Sequence, residues 1–413
     1  MLNENTNSYN IEFIRSQFPA LNVRVWNKRL SYLDSAASMQ KPKVVLDNIQ
    51  ENYSSSYSNV HRGLHYLSEK ATESYENSRI KVANFINANE NEIIFTSGAT
   101  AAINLVAYSW GNQNLNKNDE IILTIAEHHA NFVPWQYIAK SKGAKIKVVH
   151  YNPDEDFDLS KIKGLITNKT KLITFPHVSN VLGTVFPVKE ICSIAKQIGA
   201  VTLVDGCQGA IHFKVDVKEL GCDFYCFSGH KLYGPTGIGV LYGSINLTSA
   251  MPPFMCGGDM IDVVKINETT YADPPLRFEA GTPPIVQAIA LGKAIDWVNE
   301  IGLENIEKHE KKVLSYGIDK LNSIKGVKIF GKNKNKAGVI SFTMDCAHAH
   351  DIATIVDREG VAVRAGHHCA QPLLDAFNIV STTRASVGAY SDFDDFDQLA
   401  NALTKVKKIF GAL

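Results

Sequence analysis

A chain of 413 residues, 45% of them hydrophobic, can bury a large core and is long enough for two domains. Its 42 basic and 42 acidic side chains cancel, and no basic run or stripe appears, which argues against nucleic acid or an anionic membrane surface as partner and for a small ligand. The seven cysteines are odd in number and form no CxxC pair, so neither a disulfide framework nor a zinc ribbon is indicated, and no metal is expected; with the polar start MLNENTNSYNIEF and no apolar run long enough to span a bilayer, the chain reads as cytoplasmic.

In chain order, short apolar runs alternate with helical patterns. NEIIFTSG precedes a helix from Ala101, DEIILTIAEHH precedes a helix near Trp135, and AKIKVVHY and TKLITFPHVSN follow, then a helix through Lys189 to Gly199, AVTLVDGCQG and DFYCFSGHK. Strands separated by helices at this spacing predict βαβ units and a mainly parallel sheet covered on both faces, an α/β class. After the helical spacing of PPIVQAIALGKAIDWVNEIG the pattern changes to helix, strand (GVKIFG, GVISFTM), helix and strand. The expected division is therefore an N-terminal segment, 1–20, packing on the small domain; a large domain, 21–296; and a smaller α+β domain, 297–413.

Ligands of such sheets sit beyond the carboxyl ends of the parallel strands. Those ends carry SerGlyAlaThr at 97–100, GluHisHisAlaAsn at 127–131, Asn180, Asp205 with Gln208, and SerGlyHisLys at 228–231. Each is weak alone: a hydroxyl before a helix is first an N-cap, and a lone strand-end His or Asp is usually structural. Together they suit pyridoxal phosphate, which needs a lysine amine for its aldehyde, a carboxylate to keep its pyridine nitrogen protonated and an anion cup for its phosphate. Lys231 follows Asp205 by 26 positions (231 minus 205), after an apolar strand and before the glycine-rich GPTGIGVLYG. It reads as the Schiff-base lysine rather than a solvated surface amine.

YLDSAAS at 32–38, NVHRGLHYLS at 59–68, AEHHANFVPWQ at 126–136, VDGCQG, FSGHKLYGPTG, FEAGTPP at 278–284 and RAGHHCAQP at 364–372 resemble, over nearly the whole chain, the class V aminotransferase group of pyridoxal-phosphate enzymes, and within it the group II cysteine desulfurases of the Suf type. The resemblance implies fold type I, with a small C-terminal domain carrying a catalytic cysteine loop. It implies that His128 stacks on the pyridine ring, Asp205 pairs with its nitrogen and Gln208 bonds its phenolic oxygen. Thr100, Ser228 and His230 bind the phosphate, helped by Thr282 of the other subunit of a homodimer. Asn180 belongs with both cofactor and substrate, while Arg384, Arg364 and His61 face the amino acid.

Cys369, in a glycine-containing segment behind Arg364, His367 and His368, reads independently as a reactive thiol whose anion is favoured by nearby positive charge. A metal cluster at HisHisCys and an inert thiol are the competing readings. The family's chemistry would convert L-cysteine to L-alanine and leave a persulfide on Cys369. The short form of the cysteine loop implies a dedicated acceptor protein of the SufE or SufU type, in the service of iron–sulfur cluster assembly. Gln371 stands where some relatives carry methionine. A selenocysteine lyase, a kynureninase-like enzyme or an aminotransferase would share Lys231 and Asp205, and a non-enzymatic sulfur or metal scaffold would share the fold alone.

Overall fold

The computed structural model describes residues 9–411. Seven strands form the large sheet: β1 (Ile93–Thr96), β2 (Glu120–Thr124), β3 (Lys145–Val149), β4 (Thr170–Pro176), β5 (Val201–Asp205), β6 (Phe224–Ser228) and β7 (Gly239–Gly243), in spatial order β1-β7-β6-β5-β4-β2-β3. Strands β2 to β6 pair in parallel. Alternate side chains leave by opposite faces: Ile121, Leu123, Leu203 and Phe224 pack with Ile103 and Trp135 on one side, while Ile122, Ile173, Val204 and Tyr225 pack with Ile191 and Leu291 on the other. Burial on both faces is why these strands read as continuous apolar runs.

One strand departs from the parallel pattern. β7, inside what reads as a glycine-rich turn, pairs antiparallel with both β6 and β1 and so brings the first strand of the sheet, far away in the chain, next to the β6 end. A glycine is required at its start, because a Cβ on Gly239 would lie 2.4 Å from the Gly98 Cα. That close approach brings the head of helix α1 (Ala99–Val106) beside the β6 end.

The second sheet, β8 (Val327–Phe330), β9 (Val339–Met344), β10 (Arg364–Gly366) and β11 (Thr382–Ser386), is antiparallel in order β8-β9-β11-β10. Its core joins Phe342, Ala385 and Val313 to Phe396 and Leu403. The expected boundary between residues 296 and 297 falls inside one continuous helix, α2 (Ile285–Ile301); the apolar spacing runs unbroken to Ile301, and Gly302, at φ 85°, provides the turn instead. Residues 1–8 of the expected N-terminal segment lie outside the described residues. Beyond them, Tyr9 Oη donates to Ala389 O at 2.7 Å and Arg15 Nη1 to Tyr390 O at 2.7 Å. Contact with the C-terminal part extends past residue 20, since Ser31–Tyr32 pairs in parallel with Val361–Ala362 and Leu33 is buried in the second core. Among the described residues no helix is long and apolar enough to cross a membrane.

Candidate active site

The carboxyl ends of β4, β5 and β6 and the facing edge of the second sheet enclose a cavity of about 190 Å³. It brings together Thr100, His128, Asn180, Asp205, Gln208, Ser228, His230, Lys231, Arg364, Cys369 and Arg384. Topology explains the meeting: parallel strands deliver every βα turn to one edge, and Arg364 and Arg384 are direct partners across β10 and β11.

At the floor, Asp205 ends β5 and accepts from the Cys207 N–H at 3.0 Å. Burial, then the neighbouring Asp205 charge, pushes the Cys207 thiol up to about 12, so it stays protonated. Gln208 donates to Ala36 O at 2.9 Å, while its buried Oε1 has no partner. His128 Nδ1 accepts from the Ala130 N–H at 3.0 Å. Burial, then Lys231, holds this imidazole down to about 4; it is neutral at pH 7, with its proton on Nε2.

The anion cup lies where α1 begins. The Ala99 N–H donates to Ser228 Oγ at 2.9 Å, and the Gly98–Gly239 approach leaves room for no side chain. His230, lowered to about 4 by burial and then by Lys231 and Lys41, is neutral. Lys41 Nζ donates to His230 O at 2.9 Å, which fixes the turn Gly229–Lys231 that presents the Lys231 amine.

The cysteine loop closes the cavity. Cys369 is exposed, and both it (φ 56°) and buried His368 (φ 53°) adopt the left-handed conformation. Four bonds hold that backbone: Asn180 Nδ2 to His368 O, 2.7 Å; His129 N–H to Cys369 O, 2.7 Å; Gln371 N–H to His129 Nε2, 3.1 Å; and His368 Nε2 with Thr382 Oγ1, 2.8 Å. The expectation that His368 lends charge to the thiol is corrected here: burial, then Arg384, drives its imidazole down to about 3, so it is neutral. The positive charge near the thiol belongs to arginine. Arg384, buried and lowered to about 10 chiefly by desolvation, remains charged at pH 7. Its Nη1 donates to Asn180 O at 3.0 Å and its Nη2 to Asp34 Oδ1 at 3.3 Å, while Nε has no partner.

Two expected site residues are not brought here. His61 Nε2 is bound to Glu76 Oε1 at 2.8 Å and its ring stands edge-on to Tyr75, so it does not line this cavity. Thr282 lines a separate cavity of about 510 Å³ with Ser97 and Gln287. Asp34 and His129 were not singled out from the sequence. Asp34 lies 350 positions from Arg384, and no local pattern links them, although YLDSAAS is itself one of the recognisable motifs.

The residues present fit pyridoxal phosphate. A primary amine, a carboxylate, a neutral imidazole and an amide oxygen without a partner converge beside a backbone cup that has no room for a Cβ. The model of the aminotransferase class-V family matches residues 31–399. The chain belongs to that family. It is 48% identical over 403 residues to a probable cysteine desulfurase of Halalkalibacterium halodurans, covering 97% of this chain and 99% of that one. Among solved structures it is similar to the cysteine desulfurase CsdA of Escherichia coli (TM-score 0.91, 37% identity, 98% of this chain and 100% of the other). It is also similar to the apo cysteine desulfurase of Thermococcus onnurineus NA1 (TM-score 0.92, 38% identity, 96% and 98%). The mainly parallel α/β architecture of this class V chain is the fold of those structures.

Proposed function

We propose that the chain is a pyridoxal-phosphate-dependent cysteine desulfurase, which takes sulfur from L-cysteine onto Cys369 and releases L-alanine. The observation that carries this reading is the single cavity that contains Lys231 and Asp205 on one wall and the exposed, four-fold tethered Cys369 on the other. An aminotransferase needs the first wall and has no use for the second. The cofactor, when bound, withdraws electrons from the substrate's Cα and so makes its proton removable.

The protein's own groups do the rest. Lys231 Nζ would hold the cofactor through its aldehyde and, when free, would move the substrate's Cα proton. Asp205 would keep the ring nitrogen protonated, neutral His128 would stack on the ring, and Gln208, whose Oε1 has no partner, would bond the phenolic oxygen. Thr100, Ser228 and His230 would hold the phosphate. Arg384, with Arg364 beside it, takes the substrate carboxylate, and Asn180 holds the loop over it. Cys369 Sγ forms an S–S bond to the substrate sulfur as the substrate Cβ–S bond breaks. The carbon skeleton gains a proton to become alanine, so one cysteine and one thiol become one alanine and one persulfide. Two equivalents of a thiol reductant, or an acceptor protein of the SufE or SufU type, then clear the persulfide.

Thr282 lies outside this cavity, and Gly281 before it has φ 78°; the segment would complete the phosphate site of a second copy in a homodimer. All seven cysteines are free, which suits a reducing cytoplasm and a role in iron–sulfur cluster assembly. The test is Cys369→Ser on one preparation with L-cysteine and dithiothreitol. Sulfide and persulfide should be nearly absent, while the cofactor stays bound and its absorbance still shifts with L-cysteine. Wild-type sulfide release by the variant, or a persulfide mapped to another cysteine, would overturn the reading.

A further inference from the structure

His128 lines the cavity at the head of a short turn, His129–Asn131, and a chain of hydrogen bonds closes that turn from behind. Glu127 Oε1 accepts from the Thr124 N–H at 3.1 Å and from Thr124 Oγ1 at 2.7 Å, while Glu127 Oε2 accepts from Asn131 Nδ2 at 2.7 Å. Asn131 Oδ1 in turn accepts from Trp135 Nε1 at 3.0 Å, on the helix Val133–Lys142, and from Thr174 Oγ1 at 2.9 Å, on β4. Every member of the chain is buried, and neither Glu127 nor Asn131 lines the cavity.

The polarity of the chain is fixed at both ends, because an indole N–H and a backbone N–H can only donate. Trp135 therefore holds the Asn131 oxygen toward itself and turns the amide nitrogen toward Glu127, whose two oxygens both face donors. Burial pushes the Glu127 carboxyl up to about 8. The hydroxyl of Thr124 can donate or accept, so the pattern holds whether that carboxyl is ionised or neutral. The imidazole depends on this frame: His128 Nδ1 accepts from the Ala130 N–H at 3.0 Å and His128 O from the Asn131 N–H at 2.8 Å. The plane of the ring and the place of its proton on Nε2 last only while the turn keeps its shape.

Resting on the reading of His128 as the group stacked on the cofactor ring, we propose that Glu127 is a positioning residue, which through Asn131 fixes the plane and the tautomer of the His128 imidazole. A buried network whose members are all satisfied rigidifies what it carries. Here it carries a ring whose use depends on lying flat against another. Glu127→Gln keeps the size of the side chain but adds a donor to a chain with no free acceptor, so a donor must meet a donor at Thr124, Asn131 or Trp135. Glu127→Gln with Asn131→Asp exchanges acid and amide: the amide at 127 donates to the acid at 131, which still accepts from Trp135 and Thr174, and every bond is restored.

The cofactor-loaded protein is read by nitrogen NMR of the His128 ring and by visible circular dichroism of the cofactor. In the wild type the two ring nitrogens of a single neutral tautomer resonate far apart. Glu127→Gln should draw the two resonances together and lose most of the dichroism, and the exchanged pair should restore both. In a His128→Ala background, Glu127→Gln should change the dichroism no further, since the ring through which it acts is gone. Wild-type spectra for Glu127→Gln, an exchanged pair that stays as damaged as the single variant, or an effect that persists in full without the His128 ring would each overturn the proposal. Should Glu127→Gln fail to fold, the exchanged pair decides alone: wild-type spectra support the proposal, and altered spectra or a second failure to fold refute it. If His128→Ala leaves the dichroism unchanged, the stacking of His128 is refuted and the proposal with it. Dichroism lost in His128→Ala but kept in Glu127→Gln refutes the role of Glu127 alone.

Discussion

Removing the Asn180 side chain should loosen the cysteine loop without dismantling the cofactor site. The Nδ2 atom of Asn180 donates to His368 O at 2.7 Å with both residues buried; Asn180→Ala leaves that carbonyl without a partner, a cost of about 1–3 kcal/mol. The loop already holds two non-glycine residues, His368 and Cys369, in the left-handed conformation, at roughly 1–2 kcal/mol each. It has little reserve against a lost tether. The population of open loop should rise about 5- to 150-fold, at a factor of ten for every ~1.4 kcal/mol. Hydrogen exchange reads this directly: the amides of His129 and Gln371, which donate to Cys369 O and His129 Nε2, should exchange faster by that factor, while those of β4 stay protected. Sulfide release from L-cysteine should fall about tenfold with the cofactor retained. If activity falls while both amides keep wild-type protection, Asn180 acts on the substrate and not on the loop; if neither changes, the tether carries no weight.

Lys231→Ala should fold but lose the cofactor bond that borohydride traps; a labelled peptide in the variant would place the bond on another lysine. Asp205→Asn keeps the shape but removes the charge that holds the ring nitrogen's proton, so the cofactor should bind while exchange of the substrate Cα proton slows at least about tenfold; an unchanged exchange rate, read by NMR in deuterated buffer, would refute that role. Acid should destabilise the fold early. His128, His177 and His230 are lowered from 6.5 to about 4, and His368 to about 3, all chiefly by burial. The unfolded chain therefore binds protons that the folded chain does not as pH falls from about 6.5 toward 4, and stability present above 6.5 is lost through that window. Each group contributes at most about 1.4 kcal/mol per pH unit, less for the partly exposed His230. Denaturant midpoints that do not fall between pH 7 and pH 5 would contradict the buried neutral imidazoles.

The parallel strands and the residues at their ends were legible because burial on both faces writes each strand as an apolar run, and the chemistry begins where the run stops. Asp205 closes β5 and Lys231 comes just past the end of β6, and the structure puts both in one cavity. β7 was hidden because its glycines, needed for the approach to Gly98, look like turn residues. The expected division near residue 297 falls inside α2, whose apolar spacing runs on to Ile301 with no change of composition at that point. Asp34 and His129 lie in stretches that the sequence points to, YLDSAAS and GluHisHisAlaAsn, but their roles were hidden for a different reason. Their partners, Arg384 and Cys369, lie hundreds of positions away, and an ion pair or a backbone bond between distant segments leaves no spacing to read.

Which half of the molecule positions the thiol follows from the direction of its bonds. Cys369 is carried by the turn after β10, in the smaller part, yet three of its loop's four tethers, one from Asn180 and two from His129, come from the ends of β4 and β2 in the large sheet. The reverse contact, Arg384 Nη1 to Asn180 O, ties the carboxylate-binding arginine to the same residue. Lys231 and the Asp205 carboxylate bond neither the loop nor Arg384. Damage at Asn180 should therefore be felt by sulfur transfer and by carboxylate binding together, while the ring-nitrogen charge and the lysine bond are left intact. Damage at Asp205 should do the opposite. The site is two assemblies sharing one cavity, and Asn180 is the residue that joins the loop and the arginine within one of them.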